Sequence, residues 1–382
     1  MVVLDACGAG ALPDAAAYGD EGADTLVHVA RAVGGLRLPV LQALGLGSIL
    51  DLEGVAPAVA PVLHGRLHPL GPGKDSATGH WELMGVVPPG PMPVYPAGFP
   101  ADLVARLVQA TGQRFCCKGP SDGMAALDDF GEHHLTTGEL ILYTSQDSVL
   151  QIAAHGDRLD ERGLHEVCAA ARAVMTGEHA VGRVIARPFA GAPGAFTRTA
   201  GRRDLTIDPP GPSRLQELAA AGVPVHAVGK VRDLFAGIGI TEAHPGGTNA
   251  AAIARTTALL ESLDDGLIFT NLVETDQLHG HRKDVEGFAT ALQRIDAAVD
   301  GWLGALRPDD LLVLTADHGC DPAAAHSDHT REHAPLLAVF SGHGGRRHDG
   351  PLADVGASVA TWLTGSCDPA LPGASFLEPR SQ

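Results

Sequence analysis

Apolar positions follow two kinds of pattern along this chain, and the patterns sort it into regions. In the C-terminal half, short unbroken apolar runs alternate with longer periodic stretches. Residues 266–272 (GLIFTNL) and 310–316 (DLLVLTA) are continuous runs of strand length, of the kind a parallel sheet buries on both faces. Between them Val285, Phe288, Leu292, Ile295, Ala298, Trp302 and Leu306 recur at helical spacing, which predicts one helix with an apolar stripe. Strand, helix, strand is a crossover unit. Residues 335–341 predict a further strand and 353–363 a further helix. At the start of the chain, residues 2–6 predict a short buried strand containing Asp5.

The middle reads differently. Residues 139–154 (ELILYTSQDSVLQIAA), 182–189 and 203–207 predict strands, with a helix near 160–175. Proline-rich stretches at 88–100 (VPPGPMPVYPAGFP) and 208–213 (DPPGPS) bracket this region. The expectation is an α/β core with a mostly parallel sheet flanked by helices, built from residues 1–94 and 209–382. A smaller α/β domain is inserted at 95–208.

Length agrees, since 382 residues exceed the roughly 100–200 typical of one domain. Charge narrows the partners. With 45 Asp+Glu against 27 Lys+Arg and a net charge of −18, no broad basic face is available for nucleic acid. Small phosphorylated ligands remain open, because they need only a few local cations. No apolar run approaches the roughly 20 residues of a membrane helix, and no positively charged leader opens the chain. These features predict a cytoplasmic protein without membrane attachment. The 6 cysteines form no C-x-x-C pair, which fits a reducing compartment. No exposed apolar helix stripe stands out, so a monomer is expected.

Candidate chemistry gathers at the ends of predicted strands. Asp5 ends the first. Asp276 and His281 follow the 266–272 run in NLVETDQLHGHRKD, as D-x4-H. Asp317 and His318 end the 310–316 run, and His329 follows in SDHTRE. In open α/β sheets, binding sites form beyond the carboxyl ends of strands, so topology would bring these residues to one edge. Three Asp and three His suffice for two divalent ions at about three protein ligands each. Mixed carboxylate and imidazole donors suit Mn or Zn, with Mg possible. His226, His279 and His326 read instead as surface or supporting histidines.

A second stretch, GPGKDSATGHWELMG (71–85), resembles a phosphate-binding loop only superficially. Asp75 stands where that motif requires Ser or Thr, and His68 stands where its first glycine belongs. Ser76 lies at a loop-to-helix junction. Its hydroxyl reads either as a helix N-cap or, beside metal ions, as a nucleophile at a helix end that favours an arriving phosphoryl group.

Taken together, VVLDACGAGALPDAAAYGDEGADTLVH, GKDSATGHWELMG, YTSQDSVLQIAAH, RVIARPF, FTNLVETDQLHGHRKD and LTADHGCDPAAAHSDHTRE resemble, in order and over nearly the whole chain, the phosphopentomutases of the alkaline phosphatase superfamily. The resemblance implies an alkaline phosphatase-like core and an inserted domain acting as a cap. It implies one metal ion on Asp276, His281 and His329 and another on Asp5, Asp317 and His318, with manganese favoured. It implies Ser76 as the phosphorylated nucleophile, where these enzymes usually carry Thr; serine keeps the hydroxyl and loses the methyl that restrains its rotamer. Substrate contacts would come from Ser145, Asp147, Arg183, Arg198 and Lys230, and a sugar bisphosphate such as glucose 1,6-bisphosphate would prime the enzyme. The implied reaction interconverts ribose 1-phosphate and ribose 5-phosphate, and their 2-deoxy forms, through a pentose 1,5-bisphosphate. A metal-dependent phosphosugar phosphohydrolase on the same core is the alternative.

Overall fold

The computed structural model describes residues 1–145, 148–341 and 344–377. The chain divides into two compact units, Met1–Gly90 with Pro209–Gln382, and Pro91–Asp208. The first division falls inside the proline-rich stretch. Just past it, the Pro93 carbonyl accepts from Ser148 Oγ at 2.6 Å, which ties residue 93 to the second unit.

In chain order, the first unit begins with β1 (Val2–Leu4) and β2 (Leu63–His68). The second unit holds β3 (Phe115–Pro120), β4 (Leu140–Thr144), β5 (Val149–His155), β6 (Arg183–Ala190), β7 (Thr197–Arg198) and β8 (Arg203–Thr206). The first unit resumes with β9 (Val225–Val228), β10 (Glu242–His244), β11 (Leu267–Leu272), β12 (Leu312–Thr315), β13 (Ala334–Val339) and β14 (Gly350–Pro351).

The first unit's sheet runs β10-β9-β11-β1-β12-β13-β2-β14. Only β13 is antiparallel to its neighbours. β1, with all three residues buried, sits between β11 and β12 and is parallel to both. That position explains its brevity: three residues with neighbours on each side satisfy their backbone groups without a longer ladder. The predicted crossover helix is Val285–Ala305, with Phe288, Leu292, Ile295, Val299 and Trp302 buried. The expected C-terminal helix is Ala353–Thr364.

The second unit carries a mixed sheet in the order β3-β4-β5-β6-β7, with β8 also on β6. The run read as 139–154 is a hairpin, because β4 and β5 pair antiparallel. One face packs Leu103, Leu107, Leu164 and Cys168 from helices Ala101–Thr111 and Glu161–Val174. The other packs Leu127 from helix Ala125–Thr137 with Phe189 and Phe196. Among the described residues, no helix is long and apolar enough to cross a membrane.

Candidate metal centre and nucleophile

Because β11, β1 and β12 are adjacent and parallel, their C-terminal ends share one edge of the sheet. Asp5 leaves β1, Asp276 lies in a short wide helical turn (Thr275–Gly280) after β11, and Asp317 and His318 leave β12. A bridge between Gly319 and Thr330 brings the 329 loop back beside them. β2 runs parallel to β1 through two antiparallel pairings, and its exit leads to helix Ser76–Leu83.

Two sets of donors form there. The ligand atoms of Asp5, Asp317 and His318 lie within 4.8 Å of one another, as do those of Asp276, His281 and His329. In the first set His318 Nε2 is 3.4 Å from Asp5 Oδ1 and 3.3 Å from Asp317 Oδ2. In the second, Asp276 Oδ1 is 3.4 Å from His281 Nε2 and 3.3 Å from His329 Nε2. The His318 and His329 rings sit 4.2 Å apart, so the two sets adjoin.

The histidine orientations are fixed from behind. His318 Nδ1 donates to the Gly319 carbonyl at 2.9 Å, and His281 Nδ1 to the Ser327 carbonyl at 2.7 Å. Each ring thereby turns Nε2 toward the carboxylates, the orientation that imidazole ligands require. Asn271 Nδ2 donates to Asp5 Oδ2 at 2.8 Å, and the Ala6 amide donates to Asp317 Oδ1 at 3.2 Å. The remaining oxygens point inward. Asp5 Oδ1, Asp276 Oδ1, Asp317 Oδ2 and His329 Nε2 are buried without a hydrogen-bond partner.

Three buried carboxylates so close together are costly unless cations compensate them. Burial, with Asp317 and Asp276 nearby, pushes the Asp5 carboxyl above its ordinary range. Burial also disfavours the charged forms of Asp276 and His318. The surrounding imidazoles still hold Asp276 below its usual range, and the surrounding carboxylates hold His318 well above its own. The donor chemistry and the inward-facing orphaned atoms fit two divalent cations.

Ser76 is the first residue of its helix, and its Oγ lies 3.1 Å from His318 Nε2. It is not the cap. Asp75 caps the helix, accepting from the Ala77 and Thr78 amides at 3.0 and 3.1 Å, with Thr78 completing a capping box. That arrangement releases the Ser76 hydroxyl. Gly79, one turn on, allows the helix to approach β12: a Cβ there would stand 2.4 Å from the Asp317 carbonyl oxygen.

The loop before Ser76 is held by residues that sequence reasoning did not single out. Buried Glu82 accepts from the Gly71 amide at 3.0 Å and also from Leu70. Arg331 Nη1 donates to the Gly71 and Gly73 carbonyls at 2.9 and 2.7 Å, and Tyr18 donates to the Pro72 carbonyl at 3.0 Å. Glu332 accepts from both Thr25 and Thr330 hydroxyls at 2.6 Å, and lies against Gly8 and Gly319 in the loops that follow Asp5 and His318. Arg331 and Glu332 follow His329 within DHTRE, and that adjacency was the available signal.

This geometry has relatives. The Metalloenzyme superfamily matches residues 1–365. A phosphopentomutase from Anaeromyxobacter sp. (strain K) is 47% identical over 385 aligned residues, covering 99% of this chain and 97% of its own. The chain belongs to the phosphopentomutase family. A second phosphopentomutase, from Caldanaerobacter subterraneus subsp. tengcongensis, is 43% identical with 99% and 96% coverage. At the level of fold alone, the chain resembles a phosphoglycerate mutase from Leishmania mexicana, with a TM-score of 0.50, 13% identity and coverage of 98% and 96%.

The other residues that the resemblance to phosphopentomutases suggested do not belong to either donor set. Ser145 follows β4 and is half-buried, and Asp147 lies outside the described residues. Arg183 opens β6, 3.7 Å from Asp204. Arg198 is an exposed residue of β7. Lys230 belongs to the first unit, in the turn after β9. Of the remaining histidines, His279 pairs with Asp284 at 2.8 Å and His326 with Asp20 at 2.9 Å. His226 is not a surface residue: it is buried against His244.

Proposed function

We propose that this phosphopentomutase-family enzyme interconverts ribose 1-phosphate and ribose 5-phosphate, with their 2-deoxy forms, using Ser76 as the phosphoryl carrier. The observation that carries the proposal is the Ser76 hydroxyl at a helix N-terminus, 3.1 Å from His318 Nε2, in a chain 47% identical to a phosphopentomutase. Asp276, His281 and His329 would hold one divalent ion and Asp5, Asp317 and His318 the other, with manganese the favoured identity. When bound, such ions neutralise charge on a transferring phosphoryl group and lower the proton affinity of the serine hydroxyl.

The chain's own residues supply the rest. Phospho-Ser76 gives its phosphoryl group to the free hydroxyl of a pentose monophosphate, the Oγ–P bond breaking as the sugar O–P bond forms and the hydroxyl proton passing to Ser76 Oγ. The product is a pentose 1,5-bisphosphate. After the sugar is turned round, Ser76 Oγ takes the other phosphoryl group, its proton passing to the sugar oxygen as that O–P bond breaks, which regenerates the phosphoserine and releases the isomer. Glu82, Arg331 and Tyr18 keep the Ser76 loop in register, so the hydroxyl need not search for its position. Arg183, Arg198 and Lys230 are proposed contacts to the non-reacting phosphate, where guanidinium forks and an ammonium suit a dianion. Ser145 and Asp147 are proposed sugar contacts. Priming by a sugar bisphosphate such as glucose 1,6-bisphosphate would load the serine.

The test is turnover of α-ribose 1-phosphate with Mn²⁺ and a trace of glucose 1,6-bisphosphate, with ribose 5-phosphate and free phosphate separated by ion chromatography. Ribose 5-phosphate should form faster than free phosphate. Ser76→Ala should lower turnover on the order of 10⁴-fold or more while metal content is retained. Dominant release of free phosphate would replace the mutase with a phosphohydrolase.

A further inference from the structure

The edge of the first unit's sheet carries a second kind of cluster. β10 has three residues and pairs only with β9, in parallel, so that Glu242 lies opposite His226 and His244 opposite Val228. Residues two apart on a strand share a face, and so do partners across a ladder. Glu242, His244 and His226 therefore project together.

Their atoms converge. His226 Nδ1 and His244 Nε2 are 3.1 Å apart, with the rings stacked at 5.4 Å and 11°. Glu242 stands astride both nitrogens, Oε2 3.7 Å from His226 Nδ1 and Oε1 3.7 Å from His244 Nε2. A ring-to-ring hydrogen bond accounts for the 3.1 Å contact but not for a carboxylate poised at equal distance from two nitrogens. A tetrahedral ion with metal–nitrogen bonds of about 2.0 Å sets its ligand atoms about 3.3 Å apart, and the observed 3.1 and 3.7 Å bracket that spacing. Both histidines are buried and Glu242 is exposed, which leaves a fourth position open to water.

We propose that His226, Glu242 and His244 form a further divalent-cation site, distinct from the sets at the carboxyl edge, selective for imidazole-preferring ions such as Zn²⁺. Two imidazoles and one carboxylate match that class better than Mg²⁺ or Ca²⁺, which favour all-oxygen sites. The role that follows is mechanical. An ion there ties the three-residue edge strand to β9 by bonds stronger than its short ladder.

The experiment is equilibrium dialysis of the full chain against Zn²⁺, with bound metal counted by elemental analysis. The native protein should hold one more equivalent than His244→Gln. Glu242→Gln alters an exposed side chain and should fold normally. Losing a ligand should matter at least as much as losing an outer partner, so that equivalent should weaken by about 10–100-fold or more. Mutase turnover should stay unchanged in Glu242→Gln. Substituting Co²⁺ should give a tetrahedral visible spectrum whose intensity falls in the same variant. Equal Zn²⁺ stoichiometry and affinity in the native protein and Glu242→Gln would overturn the site, whether or not His244→Gln folds.

Discussion

The two candidate ligand sets at the carboxyl edge use the same residue types but are held differently. Asp5, Asp317 and His318 are 1%, 4% and 3% exposed, and each is fixed by a neighbour in the sheet or its exits: Asn271 from β11, the Ala6 amide and the Gly319 carbonyl. Asp276, His281 and His329 come from a helical turn and a loop. The His281 side chain is 34% exposed and is anchored through the loop carbonyl of Ser327, with Cys320 Sγ 3.8 Å from the same nitrogen. Rigid, dry ligands favour tight and slowly exchanging ions, whereas loop-borne ligands at a solvent edge exchange them more readily. Ser76 faces the more deeply buried set through His318. The proposed nucleophile is thus tied to the part of the site most enclosed by the fold.

The contrast is broken most severely by Asp317→Asn. It removes an anionic donor from the buried set, and metal assistance is worth several kcal/mol to phosphoryl transfer. Turnover should fall by roughly 10³-fold or more, and millimolar added metal should not restore it. Steady-state assays across a metal titration check this.

His281→Gln should act more gently. The Asp276, His281 and His329 set should lose metal affinity by about 10–100-fold, and activity should return as metal is added. A variant that stays inactive at saturating metal would erase the proposed difference between the sets.

The smallest effect concerns Glu332, packed against the loops that follow Asp5 and His318. Burial pushes its carboxyl from 4.5 up to about 7. A folded-state value raised above the unfolded one means the folded chain keeps the proton longer. This contribution is complete below the unfolded value and is lost as pH rises through about 7. Thermal melts should therefore show stability falling between about pH 5 and pH 8, relative to Glu332→Gln, in which this slope is absent. Parallel curves for the two proteins would contradict it.

Much of this was readable from the sequence, for a physical reason. Strands buried on both faces appear as unbroken apolar runs, so 266–272 and 310–316 announced β11 and β12, and Asp276, Asp317 and His318 followed directly. What stayed hidden depends on pairing between distant segments. Asn271 sits inside an apolar run and looks like one more strand residue until β11 lies beside β1. Asp75 looks like a failed phosphate-loop position rather than the cap that frees Ser76. Helix Ala101–Thr111 and β3 were not drawn from the sequence, because the proline-rich stretch before them obscured where periodicity resumes. His226 was read as a surface or supporting residue because its partners, Glu242 and His244, belong to a strand of three residues with too little pattern to predict.

The most direct test of the central claim is to load the enzyme with glucose 1,6-bisphosphate carrying a labelled phosphoryl group, map the label, and chase with unlabelled ribose 5-phosphate. The account predicts label on the peptide containing Ser76, absent from Ser76→Ala, and its passage into pentose phosphate on the chase. Label that never reaches Ser76, or that leaves it only as inorganic phosphate, would contradict the account.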